Sequence, residues 1–490
     1  MHPVDPSLFT DGSTFINPFG LVFTLLMGVL TVVLPRRFAV IPVIVLTCYM
    51  TMGMRLVVGG LNFTMIRVLL VFAWARLLLR GELRSIKLNT LDKTIIACEI
   101  SGFVAYLLLW QTTNALQYKL GAAYNSLGTY FFFRFLLRDK EDVVRALRFF
   151  SVLILPLAAC MLLEKTTGRD PFAVFGGVPA ITTVRDGALR CEGPFAHPIL
   201  AGTFGATLMP LFVGLWQYQE RKRMFAALAI AAAAVITVTS ASSGPLLTFL
   251  SGILALCLWP FRHNMRAIRW GMVTGLVGLQ MVMKAPVWFL LARVDVVSGS
   301  TGYHRAYLID RAIANLSDWW FVGTKATSAW ASEDDHLFDV TNAYILKGAD
   351  GGLITMFLFI AIIVFSFKAI GRTVRTADGH EPEKDVRFIW AMGAALFAHT
   401  ATFMSVSYFD QNFVNWSLLL AMIATCAGSS LLISRRSFFE NLRLQSSGDA
   451  SFLPYPNFAP VDSGSPSKHN SRFGATTNPC LNISPRHRLF

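Results

Sequence analysis

Charge and cysteine chemistry are scarce in this chain of 490 residues. Only 15% of its residues are charged while 54% are hydrophobic, and the mean hydropathy is +0.53. That balance is too apolar for a soluble protein of this length. The seven cysteines (Cys48, Cys98, Cys160, Cys191, Cys257, Cys426 and Cys480) include no Cys-x-x-Cys pair and lie mostly inside apolar runs. Neither a disulfide framework nor a zinc site follows from their spacing. There is no solenoid repeat, and no two-half symmetry of the kind many transporters carry. The net charge is +14, but no basic stripe with interleaved aromatics accompanies it, so nucleic acid is not an expected partner. The first thirteen residues hold neither Lys nor Arg, so the basic n-region of a cleaved signal peptide is missing.

What is present is a series of about thirteen apolar stretches of near-bilayer length between residues 14 and 434. The expected fold class is all-α: a polytopic integral membrane protein of about 12–13 transmembrane helices over residues 1–440. Residues 441–490 are rich in Ser, Pro and Asn without an apolar period, and read as a disordered cytoplasmic tail. Basic clusters recur at Arg36-Arg37, Arg80 to Lys93, Arg134 to Arg148, Arg221 to Arg223, Arg262 to Arg269, Lys368 to Arg387 and Arg435-Arg436. By the positive-inside bias these loops face the cytoplasm, with the N-terminus outside and the C-terminus inside. Two long loops, 165–196 and 285–351, are separated by four spans and therefore share the outward face. Short amphipathic helices are expected in the second.

The stretch 300–355 is the one long polar and aromatic interval. Leu308, Ile309, Ala312, Ile313 and Leu316 recur at helical spacing, with Ser300 or Thr301 as N-cap, Arg305 on the same face in the first turn, and Arg311 further along. Trp319 and Trp320 follow as interfacial anchors. A helix start beside an arginine suits an anion, because unpaired backbone N–H groups and the guanidinium fork both match phosphate oxygens. The bland alternative is an interfacial helix with solvated arginines. In the first loop, Gly187 to Pro198 joins Arg190, Glu192 and His197 around Gly and Pro where the chain re-enters the membrane, with Arg169 and Arg185 nearby. These arginines either form an anion site, pair with Asp170, Asp186 and Glu192, or snorkel to lipid phosphates. A third group, Glu333 to Tyr344, places His336 among carboxylates that can orient its ring for proton transfer. No second His at helical spacing supports a metal there, so no metal and no cofactor are expected. Arg67, Glu99 and His399 lie inside apolar stretches and are site candidates by that fact. Glu99 falls in the cytoplasmic half of its span, where structural pairing is the simpler role.

Asn342, nine intervening residues, Gly352, two more and Thr355 stand where the chain returns from the second loop. With the Arg190-Cys-Glu-Gly-Pro element and the Arg305 helix followed by Trp-Trp-Phe-Val-Gly-Thr, this order resembles the O-antigen ligase and O-antigen polymerase family of bacterial membrane glycan-assembly proteins. The likeness covers about 185–365 in detail and the remaining spans in hydropathy. Two departures stand out. Thr341 occupies the position where the family has its catalytic His, and Ser242-Ser243-Gly244 replaces the family's Ser-Arg-Gly. The resemblance implies a metal-independent membrane glycosyltransferase of the C type. Its donor would be an undecaprenyl diphosphate-linked oligosaccharide on the outer face of the inner membrane, and its acceptor lipid A-core or a second carrier-linked glycan. Arg190, Arg305 and Arg185 would hold the diphosphate. The base role passes to His336, with Asp339 as orienting carboxylate or substitute, or is lost; His197, Thr341 and Asn342 would support. A diphosphate leaving group needs charge stabilisation rather than a proton, so arginines replace one carboxylate of a glycosidase. The competing expectations are a flippase or transporter of lipid-linked glycans, and a catalytically silent membrane partner of other polysaccharide-assembly proteins.

Overall fold

A computed structural model describes residues 14–58, 61–219, 223–290, 302–330 and 340–427. Helices dominate: α1 Pro18–Val33, α2 Ile41–Tyr49, α3 Met65–Leu79, α4 Thr90–Trp110, α5 Thr113–Leu136, α6 Lys140–Thr167, α7 Pro198–Tyr218, α8 Arg223–Thr239, α9 Ser243–Cys257, α10 Met265–Val282, α11 Gly302–Ala314, α12 Ala343–Ala377 and α13 Glu383–Thr402. A last helix, α14, covers 411–427. Two short antiparallel hairpins interrupt the all-α pattern: β1 Arg55–Val58 with β2 Leu61–Thr64, and β3 Thr183–Arg185 with β4 Ala188–Arg190.

A helix underlies every apolar stretch, but few are full-length spans. Among the described residues, α4, α6, α7 and α12 are long and apolar enough to cross a membrane. A fifth is added if α9 and the segment Trp259–Val282, bent by 76° to it, count as one span. The reason is length and charge. At about 1.5 Å per residue, the 16 residues of α1 and 9 of α2 fall short of a hydrocarbon core of about 30 Å. The 20-residue α13 opens on Glu383, Lys384, Asp385 and Arg387.

The main core runs through α1–α8 and α12–α14, with Phe132, Phe133, Phe150, Phe195, Phe204 and Phe212 fully buried. Helix α10 has no buried residue and stands apart. One end of the bundle is tied by ion pairs. Arg36 meets Asp142 at 2.6 Å, Arg134 meets Asp92 at 3.2 Å, and Lys140 meets Asp385 at 2.8 Å. The other end is tied by amides. Gln411 donates to the carbonyls of Met50 and Pro194 at 2.9 and 2.8 Å, Asn412 donates to Leu200 at 2.9 Å, and Asp410 accepts from the Ala196 amide at 2.8 Å. These bonds seat the 191–197 turn on the start of α14.

Helix α12 is broken. Gly351 and Gly352 leave helical geometry, Gly352 with φ +73°. The turn at 319–324 plugs the break: Leu353 N–H donates to the Trp320 carbonyl at 2.8 Å, and Thr324 N–H to the Ala349 carbonyl at 2.9 Å. A side chain at position 352 would run into the Phe321 carbonyl, so this position needs glycine on two counts. Trp319 is not an interfacial anchor. It is 4% exposed, its indole donates to the Ala312 carbonyl at 2.8 Å, and it joins Leu308, Ala312, Ile345 and Ala349 in a second apolar cluster. Trp320 is exposed. The inner face of α11 is Ala306, Leu308 and Ala312 with Ile309 beside it, whereas Ile313 and Leu316 face outward.

Candidate functional site

The ends of α6, α8 and α13 and the starts of α7, α9 and α12 meet at the amide-tied end. Strand β4 carries Arg190 into this junction, because the hairpin turn at Asp186-Gly187 folds it back on β3 and the Cys191 amide bonds the last carbonyl of α8, at Thr239, at 3.1 Å. Arg190 Nη2 donates to Ser242 Oγ at 2.8 Å. Ser242 is the N-cap of α9, yet its hydroxyl makes no bond to the first turn and instead donates to the Ser240 carbonyl at 2.9 Å. The N–H groups of Ser243 and Gly244 therefore have no intrahelical acceptor.

Arg305 arrives at the same place from α11. A β-carbon on Gly244 would lie 3.5 Å from Arg305 Nη2 and 3.7 Å from Ser405 Oγ. Ser242 and Gly244 are two residues apart, hence within about 7 Å, so both guanidinium groups gather at one helix N-terminus. Among the described residues Arg305 forms no hydrogen bond or ion pair, and Arg190 Nε has no partner. Burial pulls both guanidinium groups below their ordinary pKa, and for Arg190 the neighbouring Arg185 adds to that. Two cations beside the positive end of a helix dipole repel one another and leave the junction short of negative charge.

The other candidates fall differently. Arg185 is on the exposed strand β3, 3.6 Å from Asp186. Arg169 is exposed. Arg311 donates to Tyr307 Oη at 2.6 Å and lies over its ring. Glu192 and Asp170, offered as partners for the arginines, are buried instead beside Glu164, which accepts from the amides of Glu192 and Gly193 at 3.1 and 3.0 Å. Burial first, and the Glu164 carboxylate after it, push Asp170 up to about 8 and Glu192 up to about 7. His197 caps α7: its Nδ1 accepts from the Ile199 amide at 3.1 Å, which puts the neutral ring's proton on Nε2 and leaves a poor base. Asn342 caps α12, accepting from Tyr344 and Ile345 and donating to the Met404 carbonyl at 3.1 Å, while Thr341 beside it is exposed. His336, Asp339, the carboxylates from Glu333 to Asp335, the N-cap candidates Ser300 and Thr301, and the tail 441–490 lie outside the described residues.

A cavity of about 820 Å³ opens at the same end, bounded by α3, α4, α5, the first segment of α12 and the 407–420 region. It holds Arg67 and Glu99, and Glu99 is paired there, accepting from the Ser126 hydroxyl at 2.9 Å. The α12 break packs on α4 at mid-length: Ser101 Oγ and Thr355 Oγ1 are 2.9 Å apart. Lys119, Lys347 and Asp350 also line it. Sequence reading passed over these three, although a Lys and an Asp three apart just before a Gly pair mark a polar turn ahead of a span. His399 is buried behind the cavity wall, its Nδ1 2.7 Å from the Tyr408 hydroxyl. Among the described residues no cluster of His, Cys, Asp and Glu could hold a metal ion. No known protein-family profile matches the chain, and no curated protein matches it.

Proposed function

We propose that the chain is a membrane glycosyltransferase that takes a glycan from a lipid diphosphate carrier, of the undecaprenyl diphosphate kind, at the membrane face where the long loops meet. The observation that carries this reading is the convergence of Arg190 and Arg305 on the uncapped start of α9. Two guanidinium forks and free backbone N–H groups match a diphosphate bidentately and neutralise it as it leaves. In the transfer, the acceptor oxygen bonds the anomeric carbon as the bond from that carbon to the diphosphate oxygen breaks. The diphosphate keeps the electron pair, and the acceptor proton passes to a base, for which His336 is the candidate and Asp339 the substitute. No metal is called for where two arginines supply the charge. The acceptor is lipid A-core or another carrier-linked glycan. The basic residues gathered at the opposite end support a bacterial inner-membrane orientation with that end cytoplasmic.

A second reading, a flippase or transporter of the same lipid-linked glycan, draws support from the broken helix α12 and the charged cavity beside it. A transfer assay with purified protein and a purified undecaprenyl diphosphate-linked oligosaccharide separates the two. Glycan transfer in detergent, with no membrane to cross, supports the glycosyltransferase. Movement of the intact lipid-linked glycan across proteoliposomes without transfer supports the transporter. Neither activity leaves the reading of a silent partner in an assembly complex.

A further inference from the structure

The orphaned polar atoms at the start of α14 are all of one kind. Gln411 spends its amide nitrogen on the carbonyls of Met50 and Pro194, and Asn412 spends its own on the Leu200 carbonyl. A carbonyl only accepts, so these bonds fix which end of each amide is nitrogen and leave the oxygens over. Among the described residues Gln411 Oε1, Asn412 Oδ1 and the adjacent Asp410 Oδ1 have no hydrogen-bond partner. These three consecutive residues are no more than 1% exposed.

Asp410 adds a charge to this set. Its Oδ2 accepts from the Ala196 amide at 2.8 Å, and the Asn412 amide also bonds the carboxylate, donors that suit its ionised form. Among the described residues no Lys, Arg or His forms an ion pair with it, and only backbone amides act on it. A buried carboxylate without a counter-charge is costly until a cation joins it. Carboxylate and amide oxygens are the ligands that hard cations take, and a lone carboxylate balances a single positive charge. A water has two hydrogens for three acceptors and leaves the charge unmatched. The positive end of the α14 dipole, about half a charge, opposes a cation here but is outweighed by the full charge of the carboxylate. Close-packed, fully buried neighbours favour sodium, the smaller of the common alkali cations, over potassium.

We propose that the start of α14 binds a sodium ion through the Asp410 carboxylate, with the Gln411 and Asn412 oxygens as further ligands. Asp410 also holds Ala196 and Gln411 holds Pro194, so the ion fastens the 191–197 turn that follows Arg190. It is a structural ion, and its binding does not rest on the glycosyltransferase reading.

The test is made on the full chain in phosphatidylcholine nanodiscs. Binding of radiolabelled sodium is measured directly, and thermal unfolding is compared in sodium chloride and in choline chloride at equal ionic strength, which removes general screening. The expected result is saturable binding of one ion per chain and a higher melting temperature in sodium. Asp410→Asn keeps an oxygen for the two amides and removes the charge. It should weaken sodium binding about tenfold or more and melt alike in the two salts, no lower than the parent does in choline, which separates lost ligation from a damaged fold. A parent that binds no sodium and melts alike in both salts overturns the proposal, and is the outcome if Asp410 carries a proton or waters bridge the oxygens. Sodium binding unchanged in Asp410→Asn overturns it as well. Displacement of sodium by an equal concentration of calcium would mark a divalent site and end the proposal; retention of sodium sustains it.

Discussion

Arg190 Nη2 and Ser242 Oγ are 2.8 Å apart, and this contact takes the serine away from capping its own helix. A helix start that its own N-cap leaves open, with a second arginine at Gly244, is the feature on which the proposed diphosphate site rests.

Arg190→Lys and Arg305→Lys should each lower glycan transfer by about 10-fold or more while the protein elutes and unfolds like the parent. A lysine keeps the charge but not the planar fork that meets two phosphate oxygens. Ser242→Ala should be milder, because it frees one guanidinium N–H without removing a cation. Steady-state transfer rates across the three variants check the order, and equal losses in all would mean a folding defect rather than anion binding.

The carboxyl groups of Asp170 and Glu192, raised to about 8 and about 7, make the first long loop sensitive to pH. Both hold their protons more tightly folded than unfolded. Their contribution is therefore full below the ordinary carboxyl range, near about pH 4, and is lost as pH rises through about 7 to 8. Each pKa unit is worth about 1.4 kcal/mol at most. Limited proteolysis between pH 6 and 9 should cut the 168–196 segment faster at the alkaline end. Asp170→Asn should flatten the profile; an unaltered slope would place the titration elsewhere.

Gly352→Ala should destabilise the protein by about 1–3 kcal/mol, from the left-handed backbone and the collision with the Phe321 carbonyl together. The damage should also reach transfer, since the displaced 319–324 turn carries α11 and Arg305 with it. Thermal unfolding and transfer rates measured side by side check this. A Gly371→Ala control, inside α12 where a β-carbon meets nothing, should leave transfer unchanged and raise stability by up to about 1 kcal/mol.

His336 carries the base role in the proposed reaction. His336→Gln should cost roughly 10²-fold in rate and remove the acidic limb of the pH–rate profile. An unchanged profile would transfer the role to Asp339, and Asp339→Asn would then show the loss. His197→Gln should leave the limb intact, because that ring already spends Nδ1 on the Ile199 amide.

Local chemistry made much of this protein legible in its sequence. Apolar runs became helices, Asn342 before Ala343 became a cap, and Gly352 stands where the apolar run of α12 begins, at the break. Leu308, Ile309 and Ala312 share one face of α11 because the α-helical period puts them there, and Arg305 lies on it for the same reason. Helix length escaped hydropathy, which counts apolar residues but does not see where the backbone stops bonding to itself; among the described residues four or five helices are long enough to cross by length and composition. Packing alone decided which charges meet. Arg190 and Ser242 are 52 residues apart and Lys119 and Asp350 are 231 apart, and no periodicity encodes such a pairing. The α12 break shows the physical reason most clearly: Thr355 meets Ser101 of α4, and Leu353 and Ala349 bond the 319–324 turn, contacts between segments far apart in the chain that only packing brings together.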